Sequence, residues 1–122
     1  FMDPLSDDLQ ENLERLVVEC LENGCVWGLQ DQQGNWSLVS SIDNDDIDVM
    51  PIWSDSRLAE ALCTGDWAVY KPVAIDLEEF LDDWLPGMHS DVLMAGINWN
   101  EALDGQEMEP LDLLEEFEAE LD

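Results

Sequence analysis

Between Ser6 and Asn23 the apolar residues Leu9, Leu13, Leu16, Val17, Cys20 and Leu21 recur with the period of one helical face. This predicts an amphipathic helix, capped at its start by Ser6 or Asp7 and ended by Gly24. The pattern then changes. Cys25 to Leu29 and Trp36 to Val39 are apolar, β-prone runs separated by the turn-forming Asp31-Gln32-Gln33-Gly34-Asn35, and together they predict a hairpin.

Val49-Met50-Pro51-Ile52-Trp53 predicts a third short strand, which its proline should confine to a sheet edge or a strand end. Ser54 is placed to cap a short helix running to Leu62. Beyond Thr64-Gly65, Trp67 to Tyr70 and Val73 to Ile75 predict an extended segment interrupted by Pro72. Asp76 and Glu79 have capping-box spacing ahead of Leu77, Phe80, Leu81 and Trp84 on one helical face, with Pro86-Gly87 closing or kinking that helix. Val92 to Ile97 predicts a buried strand and Asp104-Gly105 a turn. Pro110 opens a last helix with Leu111, Leu114, Phe117 and Leu121 inward. No repeat or long linker interrupts this order. It predicts an α+β fold, a mostly antiparallel sheet of about five strands with helices packed on it.

Length and composition fit that picture. The chain has 122 residues, 46% of them hydrophobic and six of them tryptophan, enough for a single domain with its own core. Phe1, ahead of Met2, is set aside, leaving one domain over 2–122. No apolar run approaches the roughly 18 residues of a membrane span and no signal-peptide pattern is present, so a cytoplasmic location is expected. Three cysteines, Cys20, Cys25 and Cys63, form no disulfide framework and fit buried thiols in a reducing compartment.

Charge changes the picture more. Thirty-one Asp and Glu stand against Arg15, Arg57 and Lys71, for a net charge of −28. Such a field repels nucleic acid and anionic membranes and draws in basic proteins. It does not by itself build a cation site. Read as a calcium loop from Asp43, the segment to Asp48 has Ile47 at position 5, Asp48 in place of the glycine at 6 and Ser54 in place of the glutamate at 12. An EF-hand is excluded, and with a single histidine, His89, no zinc set forms around Cys20 and Cys25. A Cys63 nucleophile with His89 as base is disfavoured because surrounding negative charge raises a thiol pKa. No metalloprotease, serine-hydrolase, phosphate-loop or dinucleotide motif occurs, so no catalytic residue, cofactor or metal is assigned and a non-enzymatic protein is expected.

Trp27, Trp53, Trp67 and Trp84 lie within apolar patterns and are expected in the core, whereas Trp36 and Trp99 are the candidates for exposed binding anchors. On the last helix, Asp112, Glu115, Glu116 and Glu120 crowd together, where like charges at i,i+4 cost about 0.2–0.5 kcal/mol each. A surface selected only for solubility would intersperse lysines. Two explanations compete. Helical carboxylates four apart are separated by about 6 Å along the axis, so a row of them imitates a nucleic-acid backbone to a basic, DNA-binding partner. Alternatively, a salt-adapted host makes ordinary proteins acidic, consistent with 17 Asp against 14 Glu, although large apolar residues are not depleted. Under the first explanation the partner-binding residues are that helical row, Asp82 and Asp83, the loop residues Asp43, Asp45, Asp46 and Asp48, and the exposed Trp36 and Trp99.

The ordered motifs Cys25-Val26-Trp27-Gly28-Leu29, Gly34-Asn35-Trp36, Met50-Pro51-Ile52-Trp53-Ser54, Gly65-Asp66-Trp67, Tyr70-Lys71-Pro72-Val73, Ile75 to Phe80 and Trp84-Leu85-Pro86-Gly87-Met88 resemble the small bacterial proteins of domain of unknown function 2750. The similarity continues through Ile97-Asn98-Trp99 and Leu111 to Leu121. It implies a bacterial cytoplasmic domain and brings with it no activity, ligand or catalytic residue. Because other members look less acidic, it also implies that the charge belongs to this protein or its host more than to the family.

Overall fold

The computed structural model of the chain describes residues 8–41, 46–99 and 105–121. The first helix, α1 (Leu9–Asn23), follows the apolar period: Leu13, Leu16, Val17 and Cys20 are buried, and Gly24 ends it in the left-handed region at φ 73°. Ser6 and Asp7 lie outside the described residues. Asp8 is the cap, its carboxylate accepting the Gln10 backbone N–H.

The strands form two sheets rather than one. β1 (Cys25–Gln30) does not pair with the 36–39 run as a hairpin; it pairs antiparallel with β4 (Lys71–Asp76) along its whole length. The local turn is still formed, with Asp31 accepting the N–H groups of Gln33 and Asn35, but only Gln30 and Trp36 bridge across it. The chain then diverges, and β2 (Val39–Ser40) joins a second sheet in the order β2, β3 (Asp48–Ile52), β5 (Met94–Ile97), β6 (Gln106–Met108). The β3–β5 pair is parallel and its neighbours antiparallel, so the second sheet is mixed. Trp27 and Trp53 exchange both backbone hydrogen bonds, each 2.8 Å, and join the two sheets.

Pro51 therefore sits in a strand with neighbours on both sides, not on an outer strand. The missing N–H is harmless because of register. Odd-numbered residues of β3 face β2 and β1, where Ser41 bonds Ile47 and Trp27 bonds Trp53. Pro51 falls in the gap between the end of β2 and that bridge, a local edge. β3 is buried on both faces: Met50 and Ile52 enter the core shared with α1, while Val49 and Trp53 enter a second cluster with Leu58 and Leu62.

That second cluster lies under α2 (Ser56–Glu60), capped by Asp55 rather than Ser54. Trp67 to Tyr70 is not extended. Gly65–Trp67 is a 3₁₀ turn, and the strand that follows runs through Pro72 at the edge of its two-stranded sheet. The helix after β4 begins as α3 (Leu77–Glu79), with Asp76 accepting the Glu79 N–H as its capping spacing predicts. It continues through a π-helical stretch, Phe80–Trp84, into α4 (Leu85–Ser90). Pro86 neither ends nor breaks it. The widened turn, in which the Leu85 N–H reaches the Phe80 carbonyl, is one of the adjustments by which a helix accommodates a proline.

The last helix, α5 (Pro110–Leu121), begins at the expected proline but buries a different face. Leu113 and Phe117 are inward and Leu114 half-buried, whereas Leu111 and Leu121 are exposed. Pro110 is itself buried, which sets the rotation. Phe117 meets Phe80 edge to face at 6.5 Å, and α1, α4 and α5 together close the larger core. Asp104 lies outside the described residues.

Candidate functional site

The acidic residues singled out in the sequence are set outward by this packing. With Leu113 and Phe117 fully buried, Asp112, Glu115, Glu116 and Glu120 of α5 are all exposed, and no basic residue stands in its last turn. Asp82 and Asp83 are exposed on the π-helical stretch. Asp46 and Asp48 are exposed at the start of β3; Asp43 and Asp45 lie outside the described residues. Counter-charge is scarce. Arg15 pairs with Glu19 at 3.1 Å and Arg57 with Asp55 at 2.8 Å, so both arginines are engaged by carboxylates close to them in sequence.

Trp99 is not an exposed anchor. It is 2% exposed, slotted between two glycines: a Cβ on Gly96 would lie 2.6 Å from its Cε2, and one on Gly105 would run into its Cδ1. Its indole N–H donates to the Gln106 carbonyl at 3.1 Å, and its own carbonyl accepts the Trp53 indole N–H at 2.9 Å. Of the four tryptophans expected in the core, Trp53 is fully buried, while Trp27, Trp67 and Trp84 are half-buried.

Trp36 is half-buried, and it is Trp84 that meets it. Their rings stand edge to face with centroids 5.0 Å apart. Trp36 lies against β1 because residue 28 is glycine; a Cβ there would come within 2.9 Å of its ring. Together the two indoles line an open groove of about 520 Å³, floored by Met50 and Met88 and flanked by Leu38 and Leu93. Asp83 and Asp91 stand on its wall, and no Lys or Arg lines it among the described residues.

Two backbone irregularities shape this groove. The π-helical stretch supplies Asp83 and Trp84. At the other end, α4 closes in a Schellman arrangement, with the Leu93 N–H on the Met88 carbonyl and the Val92 N–H on that of His89. Val92 occupies the left-handed position, φ 59°, that normally falls to glycine, and its side chain is 66% exposed. The sequence pointed to Trp36 but not to Trp84, Asp91 or Leu93. The available signal was Pro86 inside an amphipathic run, which required a helix irregularity just upstream.

The carboxyl ends of the parallel β3–β5 pair, where open α/β sheets commonly take ligands, are filled by the protein itself. Asn98, fully buried at φ 44°, accepts the Ser54 N–H and donates to the Asn12 carbonyl and Ser54 Oγ. Ser54 Oγ in turn donates to Glu19 at 2.6 Å. This network ties α1 to the ends of β3 and β5. All three thiols are pushed above the ordinary cysteine value by burial; Glu60 adds to the effect at Cys63, while the hydrogen bond to Trp27 partly offsets it at Cys25. Among the described residues, no cluster of three or more His, Cys, Asp or Glu has the arrangement of a metal site, and no helix is long and apolar enough to cross a membrane.

In comparisons with known proteins, a family model described as a protein of unknown function (DUF2750) matches residues 13–117. No curated protein matches.

Proposed function

We propose that this chain, which belongs to the DUF2750 family, acts by binding rather than by catalysis, and that its partner is a basic, DNA-binding protein held against rows of carboxylates. The observation that carries the reading is the disposal of charge. Both arginines are engaged in ion pairs with Glu19 and Asp55, while Asp112, Glu115, Glu116 and Glu120 stand exposed along one short helix. Asp112, Glu116 and Glu120 succeed one another four residues apart, a repeat of about 6 Å. Self-repulsion along such a row is a standing cost, and a cationic partner relieves it. Asp82, Asp83, Asp46 and Asp48 extend the negative field.

The test is retention of proteins from a lysate of the host on the immobilised chain at low salt, followed by challenge with excess duplex DNA. Mimicry requires that the partner leave the column into the DNA, and that a variant with Asp112→Asn, Glu115→Gln and Glu116→Gln bind it more weakly. A partner that ignores both would refute mimicry through α5. A salt-adapted surface on a housekeeping domain gives a different result: no partner is retained, and unrelated proteins of the host are equally acidic.

A further inference from the structure

We infer that the Trp36–Trp84 groove is the specificity site of this surface, and that it takes an arginine side chain of a basic polypeptide together with a neighbouring apolar residue. The inference rests on the reading that the partner is cationic, and it adds a place and a chemistry to it.

The argument begins with what lines the groove. A volume of about 520 Å³ is within the range of ligand-binding pockets, roughly 300–1,000 Å³, and exceeds the needs of one side chain. Its floor is Met50 and Met88, adaptable apolar side chains suited to a methylene stem. Its indoles offer π-faces, which attract a guanidinium in particular, since that group is planar and weakly hydrated. Asp83 and Asp91 provide acceptors for its N–H fork, and among the described residues neither forms an ion pair: Arg15 pairs with Glu19, Arg57 with Asp55, and Lys71 does not line the groove.

Charge complementarity decides among possible occupants. An acidic or phosphorylated segment meets two carboxylates with no cation. A purely apolar helix leaves Asp83 and Asp91 desolvated without partners, a cost of the kind that excludes it. A quaternary ammonium satisfies the indoles but has no N–H for the carboxylates, and the open groove does not enclose it. Arginine uses all three features. The irregular backbone contributes to the site: the π turn that accommodates Pro86 also carries Asp83 and Trp84, and the left-handed Val92 lies between the lining residues Asp91 and Leu93.

The experiment uses the intact chain and three acetylated, amidated tripeptides, Leu-Arg-Leu, Leu-Lys-Leu and Leu-citrulline-Leu, titrated while the indole N–H resonances are followed by NMR. Those of Trp36 and Trp84 should move with the arginine peptide, more weakly with lysine, and not with citrulline, which keeps the shape and lacks the charge. Asp83→Asn and Asp91→Asn, both at exposed positions, should each weaken the arginine peptide by about fivefold, the size of an accessible ion pair. If citrulline binds as well as arginine, or if neither Asp substitution matters, the groove is not an arginine site. If the arginine peptide shifts the backbone amides of α5 but leaves Trp36 and Trp84 unmoved, the groove inference fails while the cationic-partner reading stands. If neither that peptide nor protamine perturbs any resonance at low salt, the cationic-partner reading itself fails.

Discussion

Gly96→Ala is the sharpest perturbation of this fold. A Cβ at that position would lie 2.6, 2.8 and 2.9 Å from Cε2, Cζ2 and Nε1 of Trp99, against an optimal carbon–carbon separation of about 3.5–4.0 Å. The indole has nowhere to go. Gly105 closes its other side, Gln106 holds its N–H, and its carbonyl is held by Trp53. Overpacking of a tight core costs typically about 1–3 kcal/mol, and with the ring fixed on every side the upper part of that range applies, about 2–3 kcal/mol. For a chain of this size that is a fall of roughly 8–12 °C in Tm. Urea unfolding followed by far-UV circular dichroism measures it without depending on tryptophan emission. The decisive control is the same substitution in a Trp99→Leu background, which lacks Cε2, Cζ2 and Nε1, the three ring atoms that meet the added Cβ. There the cost of Gly96→Ala should drop below about 1 kcal/mol, giving a coupling of the size found between contacting residues. An equal cost in both backgrounds, or a neutral Gly96→Ala, would refute the glycine slot.

Other substitutions test other parts of the structure. Val92→Gly should stabilise the protein by about 1 kcal/mol, because an L-residue at left-handed φ costs about 1–2 kcal/mol and this exposed side chain has little packing to lose; thermal melts check it. The Asp31 carboxyl is held below the ordinary value chiefly by the Asn35 backbone N–H, so its stabilising effect is complete above about pH 4 and is lost as pH falls through the lower folded value. The stability gap between the native chain and Asp31→Ala, from urea midpoints, should therefore be widest above pH 4 and close toward pH 2. With all three thiols raised by burial, a disulfide reagent at pH 7.5 should leave Cys20 unmodified in the native protein and titrate three thiols in urea. Melting temperature should rise from 0.1 to 1 M sodium chloride, as the Debye length shortens from about 10 to about 3 Å and screens the charge of −28.

The elements legible in the sequence were those whose signals are local. The period of α1, the Gly24 stop, the Asp76 cap and Pro110 at the start of α5 each act within a turn of themselves, and each is present. Strand pairing is not local. The Asp31 turn satisfies its own polar groups and looks like a hairpin loop, yet β1 gains six paired residues with β4 and only a single bridge across that turn. Trp99 was misplaced for a related reason: flanked by asparagines it reads as exposed, and only the approach of Gly96 and Gly105 makes a slot for it. On α5, leucines at 111, 113, 114 and 121 leave the buried face undetermined until Pro110 is seen to be inside. Of the groove, Trp36 was legible beside its turn. Trp84 and Asp91 were not, because their placement depends on a π turn and on a left-handed valine that no periodicity encodes.

The meeting of α1 and α5 has a consequence for the protein during its synthesis. Leu13 and Leu16, near the beginning of the described chain, share one core with Leu113 and Phe117, near its end. As the ribosome releases the chain in order, the apolar stripe of α1 emerges early and has no complete cover until the final helix clears the exit tunnel. The core is completed only once α5 has left the tunnel, and until then the nascent domain carries an uncovered leucine-rich face. Its dense negative charge then keeps neighbouring unfinished copies apart.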